Sequence, residues 1–186
     1  GGRRMNSART KPMPNIAFRV MAFFLAIHRR FVDIRKPLQK AGVKEGQTIL
    51  DFGCGPGHYS IAAAKMVGAK GKVYALDIQP LAARSVERKA KKEGLTNITS
   101  ILSDKETRLP DRSIDVALAY DMIHMVRDKQ ALARELHRVL KPHGLLSVIV
   151  GHIKVEDVLK VLEQDGLFSL RDKQGRLINL NKGKAS

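Results

Sequence analysis

From residue 47 onward, short unbroken apolar runs alternate with longer runs whose apolar residues recur at helical spacing. The runs Thr48–Phe52, Lys72–Asp77, Ile98–Leu102, Ile114–Tyr120 and Leu145–Val150 read as strands. They are apolar along most of their length rather than polar at every second position, as strands are when helices cover both faces of a sheet. His58–Val67, Leu81–Glu93, Lys129–Leu140 and Val155–Gln164 read as those covering helices. The alternation predicts a doubly wound α/β sheet. Beyond it, LFSLRDKQGRLINLN offers two short strands around Lys173-Gln174-Gly175, a hairpin pattern.

The front of the chain has a different character. Residues 1–14 are polar and basic, are broken by Pro12 and Pro14, and are expected to be flexible. Gly1–Arg4 precede Met5, are expected to be an expression remnant and are left out of the fold reading. The apolar run Ile16–Ile27 is interrupted by Arg19 and is shorter than the roughly 20 residues that a bilayer span requires. As a helix it is expected to present Phe18, Met21, Phe24 and Leu25 on one face, against the body or over a pocket. The alternative is a helix lying on a membrane surface. We expect one domain over residues 15–182, with residues 15–35 as a mobile lid.

Charge sharpens this division. The 186 residues, the size of one domain, carry 34 Lys+Arg against 18 Asp+Glu, a net charge of +16. Residues 1–48 hold 11 basic and 2 acidic side chains, whereas residues 49–165 are nearly balanced at 18 and 15. A basic arm on a neutral body suits an anionic partner, such as nucleic acid, a membrane surface or an acidic protein, or simply a soluble surface. The single cysteine, Cys54, allows no intrachain disulfide and favours a reducing, cytoplasmic setting. Scattered histidines give no metal-binding spacing, so no metal is expected.

The segment ILDFGCGPGHY, residues 49–59, joins strand to helix through Gly53, Gly55 and Gly57. Such glycines let backbone approach a ligand closely. The spacing is G-x-G-x-G rather than the G-x-G-x-x-G of dinucleotide sites, and Asp51 before it would repel a pyrophosphate. Asp77 closes the second strand, Asp104 follows the third and Asp121 follows the fourth. Strand ends converge on one crevice in open α/β sheets, so four carboxylates should meet there. S-adenosylmethionine fits such a crevice: it has a sulfonium, an ammonium, a ribose diol and an adenine amine, and no phosphate. The bland alternative for any one acid is a solvated loop residue or a helix cap.

ILDFGCGPG, VYALDI, LPDRSIDVALAYDMIHMV and RELHRVLKPHGLL, in this order, resemble the class I S-adenosylmethionine-dependent methyltransferases, most of all the ubiquinone/menaquinone-biosynthesis-like and type 11 branch. The resemblance implies a seven-stranded Rossmann-like sheet in the order 3-2-1-4-5-7-6 with one antiparallel strand, the tail supplying the last two strands as Leu167–Arg171 and Arg176–Asn181. It implies that Asp51, Gly53, Cys54 and Gly55 cradle the methionine end and that Gly57 shapes the turn. Asp77 would bind the ribose, Ile78 would flank the adenine, and Ser103 and Asp104 would hold its edge. Tyr120, through its carbonyl, and Asp121 would face the transferring methyl. Lys105-Glu106-Thr107-Arg108 departs from the family pattern, which bears on the adenine-side contacts. Cys54 reads as a small packing residue rather than a nucleophile.

Methyl transfer requires alignment and exclusion of water more than a base. Where the acceptor does need a base, His124, His152, Tyr120 and Asp121 are the candidates, and Asp121 and His124 are the residues we carry forward as catalytic. A packed or capping imidazole is the alternative for His124. Gly151–Val155 leaves no room for a substrate-binding insertion, so Phe18, Met21, Phe24 and Phe31 are expected to roof an acceptor pocket, with a second copy of the chain as a further wall. An apolar roof suits a small or lipid-like acceptor. Nucleic acid is the rival: the fourth strand ends AYDMIH rather than in an adenine-methylating motif, and few aromatics are available for stacking. A binding module without chemistry and a nicotinamide oxidoreductase complete the alternatives.

Overall fold

The computed structural model describes residues 11–28, 32–104 and 106–184. The chain runs α1 (Asn15–His28), α2 (Arg35–Lys40), β1 (Thr48–Phe52), α3 (His58–Val67), β2 (Lys72–Asp77), α4 (Pro80–Lys92), β3 (Ile98–Leu102) and β4 (Ile114–Tyr120). It continues with a 3-10 turn (Ile123–Met125), α5 (Lys129–Val139), β5 (Leu140–Ile149), α6 (Val155–Glu163), β6 (Phe168–Gln174) and β7 (Leu177–Lys182). The strands form one seven-stranded sheet ordered β3-β2-β1-β4-β5-β7-β6. β1 to β5 are parallel, and β7 pairs antiparallel with both β5 and β6. The four leading strands begin and end where the apolar runs do. The tail hairpin is also present, closed by Gly175-Arg176 between the paired Gln174 and Leu177.

Period-2 alternation in β4 shows why both sheet faces must be covered. Val116, Leu118 and Tyr120 pack with Leu38 of α2 and Ala63 and Val67 of α3. Ala117 and Ala119 point the other way, into the layer with Leu132 and Leu136 of α5 and Val158 and Leu162 of α6. Each fully buried leucine here contributes about 2 kcal/mol, so a polar residue at Leu118 or Leu136 would undo one layer.

The largest departures from the sequence reading are the start of β5 and the presence of α2, while β6 runs three residues past the expected Arg171 and the other ends shift by about one residue. β5 begins at Leu140, pairing with Ile114, and resumes pairing at Leu145 opposite Val116. The extra residues of Lys141-Pro142-His143-Gly144 are accommodated as an irregularity, since Pro142 cannot donate to a ladder. α2 carried no periodicity long enough to read. It is a single buried Leu38 on a six-residue helix with Pro37 in its first turn, where a missing N–H costs nothing. The flexible segment expected over residues 1–14 lies outside the described residues up to residue 10, as do Phe31, Lys105 and residues 29–30 of the expected lid.

Candidate active site

β1 delivers the chain into Gly53-Cys54-Gly55-Pro56-Gly57 and then α3. Gly53 and Gly57 have φ of 77° and 82°, and a Cβ would lie 2.8 Å from the Met122 side chain at the first and 2.4 Å from that of Val86 at the second. Both positions therefore demand glycine, for conformation and for space. The amides of the loop are all in use. Gly53 and Cys54 donate to the Leu76 carbonyl at 2.8 and 2.9 Å, Gly55 donates to Asp77 Oδ2 at 2.8 Å, Gly57 donates to the Cys54 carbonyl at 2.9 Å, and Pro56 has none. A phosphate cradle works by offering free N–H groups, and this loop has spent its own. What lines the cavity beside it is the carboxylate of Asp51, which suits an ammonium.

All four aspartates line one cavity of about 930 Å³, together with Gly53, Cys54, Gly55, Ile78, Ser103 and Tyr120. Asp51 is buried and accepts from the Ser60 hydroxyl. Asp77 accepts from the amides of Gly55 and Gln79 at 2.8 Å each, which fix its carboxylate at the mouth of the loop. Burial raises Asp77 above the ordinary aspartate value of 3.8, against the lowering effect of the amides of Gln79, Gly55 and Ile78. Cys54 is raised well above an ordinary thiol, by burial first and then by the charges of Asp51 and Asp77. A thiol so held stays neutral and packs, among Phe18, Ala75, Ala82 and Val86. A Cβ at Gly55 would meet no protein atom within 4 Å, so the loop opens onto free space beside these acids. Room, occupied amides and negative charge together fit the cationic, phosphate-free cofactor that the sequence implies.

The Ser103-Asp104 segment is anchored from below. Ser103 donates its amide to the Asp77 carbonyl at 3.0 Å. Four residues on, buried Thr107 donates both its amide and its hydroxyl to Glu135 Oε1, at 2.9 and 2.6 Å. Arg138 clamps the same carboxylate from α5 and also bonds Asp111 and the Leu109 carbonyl. For Glu135 burial would raise the pKa, but the bonds from Arg138 and Thr107 prevail and lower it from 4.5 to about 2. The departure from the family pattern at Thr107 is thus a fixing point for the loop that carries Asp104.

At the other end of the cavity, Asp121 takes φ 55°, a conformation costly for a residue with a side chain, while its amide donates to Ile149. Its carboxylate passes directly over Gly151, where a Cβ would sit 2.1 Å from Oδ1. His124 does not line the cavity. It stands behind Asp121 with Nδ1 4.0 Å from Oδ1, beside the ring of His152 at 6.1 Å between centroids. That Nδ1 is buried and has no hydrogen-bond partner among the described residues. His152 does line the cavity, as does Tyr120, but the Tyr120 hydroxyl points into the sheet, 3.0 Å from Ser147 Oγ. Burial raises that phenol beyond use as a base. Two residues that the sequence reading passed over belong here. Gly151 gives Asp121 its space, and Arg176, in the two-residue hairpin turn, reaches the cavity wall and donates to the Val150 carbonyl at 3.3 Å. Neither shows a local signal, because each matters only through a strand that pairs distant in sequence.

α1 closes one side of the cavity with Phe18, Met21 and Leu25. Phe18 is 4% exposed, and Met13 just before the helix is tied down by Gln79 Nε2 at 2.7 Å. Phe24 is not part of this roof, contrary to the sequence reading. It lies six residues past Phe18, about 120° around the helix, and is 64% exposed.

Comparison with known proteins agrees with this geometry. The family described as "Methyltransferase domain" matches residues 43–176. The demethylmenaquinone methyltransferase of Geobacillus stearothermophilus is 34% identical over 119 residues, 63% of this chain and 51% of the relative. The aklanonic acid methyltransferase of Streptomyces sp. (strain C5) is 37% identical over 114 residues, 60% of this chain and 49% of the relative. The chain thus spans about half the length of the curated relatives it matches. The crystal structure of a SAM-dependent methyltransferase from Aquifex aeolicus superposes with a TM-score of 0.71 at 29% identity, covering 83% of this chain and 90% of that one. With its strand order, its spent glycine loop and its four converging acids, the chain belongs to the methyltransferase-domain family, among the class I S-adenosylmethionine-dependent methyltransferases.

Proposed function

We propose that this chain transfers the methyl group of S-adenosylmethionine to a small, largely apolar acceptor lodged between the glycine loop and α1. The observation that carries this reading is a single cavity with an acidic half at the strand ends and an apolar half under Phe18, Met21 and Leu25. The two relatives named for demethylmenaquinone and aklanonic acid act on acceptors of that kind, which supports it.

In this reading Asp51 and the carbonyls of Gly53, Cys54 and Gly55 orient the methionine ammonium, with Gly57 setting the turn into α3. Asp77 accepts from both ribose hydroxyls, a bidentate arrangement available only to the ionised carboxylate. Ile78 packs on the adenine, whose amine donates to Asp104 with Ser103 beside it. The bound cofactor supplies an electrophilic methyl on a good leaving group. The chain's own task is to hold the acceptor in line and keep water out. The Tyr120 carbonyl and Asp121 line the approach to the methyl, and His124 acts through Asp121 as a positioning residue. His152 and Arg176 offer the acceptor its polar edge.

The test is release of S-adenosylhomocysteine with dihydroxynaphthoquinol-type, phenolic and RNA acceptors, preceded by calorimetry with S-adenosylmethionine. Turnover on the first two acceptor classes supports the proposal. Binding without turnover on any acceptor makes the chain a silent cofactor-binding module, and turnover on RNA alone overturns the acceptor class. For His124, the pH profile of kcat in His124→Gln separates positioning, which lowers kcat without moving the profile, from proton transfer, which removes a limb of it.

A further inference from the structure

The outer face of α1 has no counterpart in the cofactor chemistry. Ile16, Val20, Phe23, Phe24 and Ile27 recur at helical spacing along it, and all five are exposed, Phe23 by 63%. The inner stripe, Phe18, Met21 and Leu25, already faces the cavity. A helix apolar on both sides is ordinarily buried on both sides. Here one side is exposed among the described residues, and the charges carried with it are cationic. Arg19 on the helix and Lys11 just before it are exposed, and the first 48 residues hold 11 basic side chains to 2 acidic ones. No described helix is long and apolar enough to cross a membrane, so this one can only lie along a surface.

We infer that the outer face of α1 docks on an anionic lipid surface. The apolar stripe would enter the boundary between headgroups and acyl chains, and the surrounding cations would meet anionic headgroups. A second copy of the chain would cover the stripe equally well but would bring its own cations against these, which is why charge selects the lipid. Val32 and Met125 extend the argument to the site: both are exposed and both line the cavity, so its rim continues the apolar surface. The docking itself stands whether or not the acceptor is lipid-like.

Flotation of the full chain with phosphatidylcholine vesicles, with and without phosphatidylglycerol, tests this. Binding to the anionic vesicles should exceed binding to the neutral ones about tenfold and should fall with added salt. The double variant Phe23→Ser/Phe24→Ser should lose about tenfold or more of that binding, while its S-adenosylmethionine affinity by calorimetry stays unchanged and certifies its fold. Failure to float with anionic vesicles, or equal flotation of the variant, overturns the inference. So does light scattering that shows a dimer that the same substitutions dissociate without any vesicle binding.

Discussion

On the sheet side the cavity wall is made largely of main chain: amides of residues 53–57 tied to Leu76, Asp77 and Cys54, with carboxylates fixed above them. On the α1 side it is made of side chains, and the helix is held chiefly by Phe18 and by the Met13 carbonyl. The first wall is rigid because every amide of its glycine loop has an acceptor, and removing one acceptor leaves an amide unsatisfied. The second is held by apolar area from one face, so it can move or be re-covered at low cost. A cofactor of fixed shape suits the first wall, and an exchangeable acceptor suits the second.

The largest expected effect breaks the sheet-side wall. Asp77→Ala should weaken S-adenosylmethionine binding about 100-fold by calorimetry, since the proposed ribose contacts are lost together with the carboxylate that ties down the Gly55 and Gln79 amides. The same carboxylate gives the wall its pH dependence. With Asp77 on the ribose as proposed, only the ionised form would accept from both hydroxyls, and burial raises its pKa, so affinity should fall on acidification from a higher pH than an ordinary aspartate would give. In Asp77→Asn that dependence should vanish.

Phe18→Ala should cost about 3 kcal/mol at the docking of α1, read as lost hydrogen-exchange protection over residues 15–28 with the sheet unaffected. Protection lost equally in β1 and β4 would mean that the two walls are one cooperative unit. A smaller effect, about 2 kcal/mol by urea denaturation at neutral pH, is expected for Glu135→Gln, which unclamps the Thr107 loop. Its pKa is lower in the folded state than in the unfolded one. The wild type's advantage should therefore be complete above about pH 4.5 and should drain away as pH falls toward about 2. The smallest expected change is in Gly151→Ala. The Cβ pushes Asp121 aside, so kcat should fall about tenfold while cofactor affinity stays within about twofold.

The same contrast explains what could be read from the sequence. β1, β2 and β4 were legible to the residue because buried parallel strands are continuous apolar runs, and β3, half-exposed at the sheet edge, because Ile98 and the Ile101-Leu102 pair bound it. Asp51, Asp77, Asp104 and Asp121 were legible because strand ends converge in any doubly wound sheet. The face that α1 turns to the cavity was misjudged at Phe24, since a helix apolar all round gives no moment to orient it. Gly151 and Arg176 were silent because they reach the cavity through pairings between segments far apart in sequence, β4 with β5 for the first and β5 with β7 for the second. The Thr107–Glu135–Arg138 clamp was equally silent, linking a loop to a helix 28 residues away.

The central claim is that the spent amides and clustered acids select a cationic, phosphate-free cofactor. Calorimetric titration of the full chain with S-adenosylmethionine and, separately, with NAD tests it most directly. The account requires saturable binding of S-adenosylmethionine and none of NAD. NAD binding as tight as S-adenosylmethionine, or tighter, would contradict it.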